Sequence, residues 1–119
     1  VREVIGFLKE RVDALERAGI ARERICIDPG FGFGKTVEHN YALLRQLGRI
    51  RDEVGLPVLA GLSRKSMVGA VPGRPVEGRV AGSIGGALAA VAHGARIVRV
   101  HDVAETVDAL KVWLAGTQD

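Results

Sequence analysis

Aromatic residues, cysteine and long apolar runs are scarce in this sequence. Phenylalanine, tryptophan and tyrosine make up 4% of its 119 residues. No apolar run approaches the ~18 residues that a membrane-spanning helix needs. Lysine and arginine do not cluster with aromatic residues, which argues against a nucleic-acid-binding surface. We therefore predict no nucleic-acid partner and no membrane association.

Cysteine occurs once, at Cys26, so an internal disulfide is excluded. A single thiol suits the reducing cytoplasm, which is the predicted location. Because Cys26 lies inside the apolar segment RICID, we expect a small buried side chain rather than a reactive thiol. The net charge of +3 adds a mild preference for anionic ligands.

Short apolar segments alternate with helical patterns along the chain. Three of them predict strands, namely RICID (24–28), PVLAGLS (57–63) and RIVRV (96–100). Asp102 and Glu105 form an Asp-x-x-Glu pattern that predicts a capping box at the start of the last helix. The order is one helix followed by three βα units, which indicates a parallel sheet covered by helices.

Glycines mark the predicted helix ends. Gly19 follows the first helical stripe, Gly55 follows a stripe that starts near Tyr41, and Gly94 follows a helix rich in small residues. Residues 70–79 contain two prolines and two glycines, so we predict a surface loop there.

Two architectures fit this order: a segment of a (β/α)8 barrel, or an open doubly wound sheet. An eight-unit barrel takes ~250 residues, so this chain would hold its last three units. The sequence opens at Val1 rather than at methionine, and we expect a piece of a longer chain. We predict the α/β class, with residues 1–119 as the C-terminal part of a single TIM-barrel domain. Such a partial barrel would contain three parallel strands.

The stretch DPGFGFGKT (28–36) has the composition of a nucleotide phosphate loop but not its spacing. That loop needs a glycine five residues before the last one, so that successive N–H groups surround the phosphates. Pro29 occupies that position and has no N–H to donate. The segment must therefore serve another purpose.

Ionisable and polar residues follow all three predicted strands. The first strand ends at Asp28, the second at Ser63, Arg64 and Lys65, and the third at Arg99, His101 and Asp102. Carboxyl ends of parallel strands line the ligand site in α/β folds. The cations suit a phosphate or pyrophosphate, and the carboxylate suits a guanidine-like edge. Asp28 could alternatively do no more than cap the turn that follows it.

The segments DPGFGFGK, GLSRKSM and RVHDV closely resemble motifs of the dihydropteroate synthase family, which are (β/α)8 barrels of folate biosynthesis. The resemblance covers nearly the whole chain, including the spacing between the motifs. It implies condensation of 4-aminobenzoate with 6-hydroxymethyl-7,8-dihydropterin diphosphate, which releases pyrophosphate.

The resemblance also implies roles for individual residues. Asp28 would bind the guanidine-like edge of the pterin, and Lys65 would reach the pterin ring beside the aminobenzoate. Arg99 and His101 would hold the diphosphate, so that these two and Lys65 are the catalytic candidates. Ser63 and the backbone near Ser66 would contact the aminobenzoate carboxylate, Phe33 would pack on its ring, and Gly61 is a further substrate-binding candidate.

The resemblance extends to features of the intact enzyme. The resemblance implies Mg²⁺, whose protein ligand would lie outside this chain, and a homodimer of the intact enzyme. We therefore expect the 119 residues alone to be inactive. The alternative is a non-catalytic pterin-binding module, as in methyltetrahydrofolate-binding barrels of methyltransferases. SRKS and RVH favour the synthase, because a substrate without a diphosphate gives Arg99 and His101 no evident role.

Overall fold

The computed structural model describes residues 1–32 and 34–117. Helices account for most of this part of the chain. The α-helices within it are α1 Arg2–Arg17, α2 Val37–Arg45, α3 Leu47–Val54, α4 Ser66–Ala70, α5 Val80–Ala92 and α6 Val103–Thr117. Single 3₁₀ turns occupy Arg22–Arg24 and Val76–Gly78.

A small parallel sheet lies among the helices. Strand β1 (Leu59–Ala60) pairs with strand β2 (Ile97–Val98), and Leu59 is opposite Ile97. Upstream, Ile27 forms an isolated parallel bridge with Val58. The spatial order therefore follows the sequence order, as it does for consecutive βα units.

The prediction of three strands is wrong for the first one, which contributes a bridge instead of a strand. The 3₁₀ turn Arg22–Arg24 ends directly before Ile25, and Pro29 follows Asp28 without an N–H. Few residues remain in between for pairing. Ile27 donates its N–H to the Pro57 carbonyl at 2.9 Å and accepts from the Leu59 N–H at 2.7 Å.

The two faces of these extended segments differ in burial. Ile25, Ile27 and Val58 are buried against the helices, whereas Cys26 is exposed on the other face. The expectation that Cys26 is buried is therefore wrong. Side chains alternate along an extended chain, so burying both isoleucines turns the cysteine between them outward.

The core consists of aliphatic residues from the helices and the sheet, together with one aromatic ring. Helix α1 contributes Ile5, Leu8 and Val12, which recur at helical spacing, and Phe31 is fully buried. The apolar stripe that begins near Tyr41 spans two helices, α2 and α3, instead of one. At the junction the N–H of Gln46 bonds to the Leu43 carbonyl at 3.1 Å, which closes α2 with a tighter turn.

The other predicted boundaries hold in the structure. Gly19, Gly55 and Gly94 follow α1, α3 and α5 with positive φ angles of 95°, 80° and 108°. Residues 70–78 are exposed, as expected for the predicted surface loop 70–79, but Ala70 ends α4, Val76–Gly78 form a 3₁₀ turn and Arg79 is half-buried. None of the described helices combines the length and the apolar character needed to cross a bilayer.

Candidate active site

Arg99 and Asp28 meet across the carboxyl ends of the parallel segments. Arg99 Nη1 lies 3.3 Å from Asp28 Oδ2, and both side chains are partly exposed. The arginine reaches the aspartate by passing over Gly61. A Cβ at Gly61 would lie 2.3 Å from Arg99 Nη2, so glycine is the residue that leaves room for this guanidinium.

Asp28 also caps the turn that follows it. Its Oδ1 accepts the Gly30 N–H at 2.9 Å, while Oδ2 faces Arg99. The carboxylate therefore combines the turn contact with a partly exposed oxygen that a ligand can reach.

Ser63 and His101 are joined directly. The Ser63 hydroxyl is 2.9 Å from His101 Nδ1, and it accepts the His101 backbone N–H at 3.3 Å. Ser63 is buried, so this contact fixes the ring through its Nδ1 and leaves Nε2 for a ligand. The structure thus places the Ser63 hydroxyl on His101, and its predicted contact with a ligand carboxylate stays a prediction.

Lys65 connects the second strand end to the glycine-rich loop. Its Nζ donates to the Phe31 carbonyl at 2.6 Å. Burial lowers the pKa of the Lys65 amine, the nearby Arg99 lowers it further, and Asp28 partly opposes the shift. Lys35 makes a similar contact, with its Nζ 2.6 Å from the Gly30 carbonyl. Two ammonium groups therefore bind the backbone of this loop.

The glycine-rich loop is also anchored from α2. Asn40 is buried on that helix, and its Oδ1 accepts the Gly32 N–H at 2.9 Å. Phe33, a predicted aminobenzoate contact, lies outside the described residues, so its assignment stays a prediction.

Arg64 has a backbone conformation that is unusual for a residue with a side chain. Its φ is 59°, the single positive value among the described non-glycine residues. Its N–H donates to Ser83 Oγ at 2.8 Å, its carbonyl accepts from Arg79 Nη1 at 2.9 Å, and its Nη2 donates to Asp102 Oδ1 at 2.9 Å.

The contact with Arg64 changes the predicted role of Asp102. One carboxylate oxygen of Asp102 accepts from Arg64, and Oδ2 is buried without a hydrogen-bond partner in the described part of the chain. The capping box with Glu105 is therefore wrong. Thr106 instead bonds to the Asp102 carbonyl through both its N–H and its Oγ1, at 3.0 and 2.7 Å.

A cleft of about 450 Å³ opens between the glycine-rich loop and the residues after β1. Its lining includes four cations and no acidic residue among the described positions. The polar lining residues are Lys35, Asn40, Arg64, Lys65, Ser66 and Arg79. Ser66 is exposed at the first position of α4. A cleft with this charge suits an organic anion.

The same charge distribution does not suit a metal ion. Within the described ranges, no group of three or more His, Cys, Asp or Glu side chains lies close enough to hold one. Asp28 faces Arg99, and the Lys65 ammonium is a second cation near it. These residues do not fit Mg²⁺, and the predicted ion with its ligand outside this chain stays a prediction.

Several residues that shape the site were not predicted from the sequence. Asn40 and Ser83 carry a recognisable signal, because each is a polar residue on the buried face of its helix. Asn40 precedes the buried Leu43 by three positions, and Ser83 precedes the buried Ala87 by four. Arg79 lies in a predicted surface loop, and no pattern distinguishes it there.

Fold and site together define a class: an α/β protein whose parallel segments present a carboxylate and several cations at their carboxyl ends. The profile of a family described as pterin binding enzymes matches residues 1–101. The chain therefore belongs to the pterin-binding enzyme family.

Several individual relatives of the chain are dihydropteroate synthases. The chain is 56% identical to dihydropteroate synthase of Haemophilus influenzae over 115 residues, which are 97% of this chain and 42% of that protein. It resembles the Xanthomonas albilineans dihydropteroate synthase solved with 7,8-dihydropteroate, at a TM-score of 0.96 and 54% identity. That match covers 100% of this chain and 45% of the other.

A second structure of the Xanthomonas enzyme contains 4-aminobenzoic acid. It matches with a TM-score of 0.96 and 53% identity, over 100% of this chain and 44% of that one. The chain thus spans less than half the length of these relatives, and the structural match extends over the whole of this chain.

Proposed function

We propose that this chain is part of a dihydropteroate synthase. The reaction joins 4-aminobenzoate to 6-hydroxymethyl-7,8-dihydropterin diphosphate and releases pyrophosphate. The observation that carries the proposal is the contact of Arg99 with Asp28 at the carboxyl ends of parallel segments, with Lys65 near both and His101 held by Ser63 at the same strand ends. Residues 1–119 would form the C-terminal part of a single (β/α)8-barrel domain, with Mg²⁺ bound by residues outside this chain.

The pterin would be held by Asp28. Its guanidine-like edge presents two N–H donors, which match the paired oxygens of a carboxylate. Asp28 Oδ2 now contacts Arg99 at 3.3 Å. Pterin binding would therefore replace the guanidinium of Arg99 with the edge of the substrate and release Arg99.

The released Arg99 would then meet the diphosphate together with His101. The aminobenzoate nitrogen is a weak nucleophile, so the bond from the pterin methylene to the diphosphate oxygen must be well advanced in breaking at the transition state. Negative charge grows on the departing pyrophosphate, and groups aimed at it lower the barrier. The pterin ring, held by an anionic Asp28, delocalises the positive charge left on the methylene.

The aminobenzoate would occupy the cationic cleft. Lys65 lies between the cleft and Asp28, so it can contact both substrates. Ser66 lines the same cleft and can meet the carboxylate, with Phe33 and Ser63 as the other proposed contacts. The Xanthomonas enzyme solved with 4-aminobenzoic acid supports this compound as a ligand, and its place in the cleft is our proposal. We also propose a cytoplasmic homodimer for the intact enzyme.

The test is a chimaera in which residues 1–119 replace the matching segment of the Haemophilus influenzae synthase. We expect it to form dihydropteroate and to be inhibited by a sulfonamide. Asp28→Asn should weaken pterin diphosphate binding by about 2–4 kcal/mol, because an amide places a donor against the N–H groups of the pterin. Arg99→Ala should lower kcat by roughly 10²–10³.

The sequence left two functions open, a synthase and a non-catalytic pterin-binding module. Binding of a pterin without a diphosphate, compared with binding of pyrophosphate and of a sulfonamide, distinguishes them. In a synthase, His101→Ala leaves this binding nearly unchanged and Arg99→Ala, which frees Asp28, does not weaken it, while kcat falls in both variants. A folded chimaera that binds the plain pterin but neither pyrophosphate nor a sulfonamide would contradict the synthase and support the binding module.

A further inference from the structure

Arg64 lies between two residues of the proposed site but has no role in the reaction as proposed. Its φ of 59° puts Cβ close to the following carbonyl, so residues other than glycine rarely adopt this conformation. Strained backbone of this kind persists where surrounding contacts enforce it. The contacts of Arg64 therefore indicate what the strain achieves.

The first two contacts hold the backbone. Ser83, which is buried on α5, accepts the Arg64 N–H at 2.8 Å, and Arg79 Nη1 donates to its carbonyl at 2.9 Å. The Lys65 N–H bonds back to the Leu62 carbonyl at 3.1 Å, which closes a tight turn. Adjacent side chains leave this turn in different directions: Arg64 reaches Asp102, and Lys65 reaches Phe31.

The contact between Arg64 and Asp102 continues the pairing of β1 and β2 beyond the backbone, through side chains. The last backbone hydrogen bond between them runs from the Arg99 N–H to the Ala60 carbonyl, at 3.0 Å. Beyond it, Ser63 contacts His101, and the next residue, Arg64, contacts Asp102 at 2.9 Å. Two neighbouring side-chain contacts thus fix the loop that carries the imidazole.

The contact with Arg64 also compensates the negative charge of the Asp102 carboxylate. The Asp102 side chain is 18% exposed and directly follows His101, which we propose binds a diphosphate. Its Oδ2 has no hydrogen-bond partner among the described residues, so the Arg64 guanidinium is the cation that this carboxylate contacts there. Without it, an uncompensated negative charge would stand beside an anion site.

We propose that Arg64 is a positioning residue: by holding and neutralising Asp102, it keeps His101 where the imidazole meets the diphosphate. This inference rests on the proposed function. Arg64 also lines the cationic cleft. A change in aminobenzoate binding would therefore not distinguish the proposal. The distinguishing measurement is the affinity for pyrophosphate, and its loss should depend on the carboxylate of Asp102.

The experiment uses the chimaera and compares Arg64→Ala, Arg64→Lys and the double variant Arg64→Ala/Asp102→Asn. Pyrophosphate affinity is measured as product inhibition, and plain pterin affinity as a check on folding. We expect Arg64→Ala to weaken pyrophosphate binding about tenfold, as for loss of one charged hydrogen-bonded contact. Plain pterin binding should stay unchanged.

The other variants test the route of the effect. Arg64→Lys keeps a cation near Asp102 and should stay within about threefold of the parent. The double variant should recover most of the pyrophosphate affinity, because no uncompensated carboxylate remains. Arg49→Gln removes an exposed pair with Glu53 on α3 and is the control, for which we expect no change.

Three outcomes separate this inference from the proposed function. Unchanged pyrophosphate affinity in Arg64→Ala, in a chimaera that turns over, would overturn the inference alone. A tenfold loss that the double variant does not recover would show that Asp102 is not the route, and would overturn it too. An unmodified chimaera that folds but binds no pterin diphosphate would overturn the proposed function.

Discussion

Two loops of the site are anchored in the same way but reach their shape with different residues. In the first loop (residues 28–36) the Gly32 N–H donates to Asn40 of α2, at 2.9 Å. In the second loop (residues 61–66) the Arg64 N–H donates to Ser83 of α5, at 2.8 Å. Both acceptors are buried polar side chains of a nearby helix.

The difference lies in the residues that have a left-handed backbone. In the first loop these are glycines, with φ of 77° at Gly30, 94° at Gly32 and 67° at Gly34. In the second it is Arg64, with φ of 59°. Glycine adopts such angles without strain, whereas arginine does so at a cost of roughly 1–2 kcal/mol. The first loop therefore owes its shape to its sequence, and the second owes it to its contacts.

The largest effect should follow removal of the anchor in the first loop. Asn40→Ala leaves the Gly32 N–H without its acceptor and removes packed volume from a buried site. We expect the chimaera to lose about 2–3 kcal/mol of unfolding free energy, measured with urea. His39→Ala, at an exposed position on the same helix, is the control. A loss below about 0.5 kcal/mol would show that Asn40 does not hold the loop.

The next prediction concerns two variants that exchange the residue types of the two loops: a glycine of the first loop is replaced by alanine, and the arginine of the second by glycine. A Cβ at Gly34 would have no described atom within 4 Å, so Gly34→Ala should cost only the backbone strain, about 1–2 kcal/mol. Arg64→Gly removes such strain but leaves the largely buried Asp102 carboxylate without its cation, which offsets the gain. We expect unfolding free energy close to that of the parent. A large loss in Arg64→Gly and none in Gly34→Ala would reverse the comparison.

A smaller effect is expected when the anchor of the second loop is removed. Ser83→Ala leaves the Arg64 N–H without its acceptor, which by itself costs about 1–3 kcal/mol. Arg64 can then leave its strained conformation, and the released strain offsets part of that cost. The net loss should be smaller than for Asn40→Ala, whereas pyrophosphate affinity should fall more. Equal losses of stability in the two variants would mean that Arg64 stores no strain.

The sequence predicted the first loop better than the second, because glycines shape the first loop and contacts with distant residues shape the second. Glycine at alternate positions after a short apolar segment is visible in the letters, and so is Asp28 at the start of the turn. Nothing in the letters of Arg64 indicates a positive φ, because that angle depends on Ser83 and Arg79, which are distant in sequence. Contacts of this kind become evident only in the folded chain.

The predictions of the strands and of the capping box are limited in the same way, because both depend on contacts with residues distant in sequence. Polar residues at the ends of parallel segments are expected from the general geometry of α/β folds, and Asp28 and Arg99 do meet there. How many residues pair depends on the neighbouring backbone, and the first segment has only a bridge. Asp102 has the pattern of a helix cap, yet its carboxylate contacts Arg64, which lies 38 residues earlier.

The smallest effect concerns Lys65, the residue through which the second loop contacts the first. Burial and Arg99 lower the pKa of its amine below the ordinary 10.5, so the folded state disfavours the charged form. Between the folded pKa and 10.5 the unfolded chain binds more protons than the folded chain, and stability rises with pH there. Below that window the cost of the charged amine is fully present.

Lys65→Met should remove this rise, so the stability of the parent relative to the variant should increase with pH through the window. The Tyr41 pKa is raised by burial above its usual 10.0, which lowers stability at the alkaline end. Tyr41 is present in both proteins, so its contribution cancels in the difference. We expect a change below about 1 kcal/mol, because Lys65 is only half-buried and solvent screens its charge. Urea unfolding at several pH values up to 10.5 measures it, and parallel curves for the two proteins would show that Lys65 is as well solvated in the folded state as in the unfolded chain.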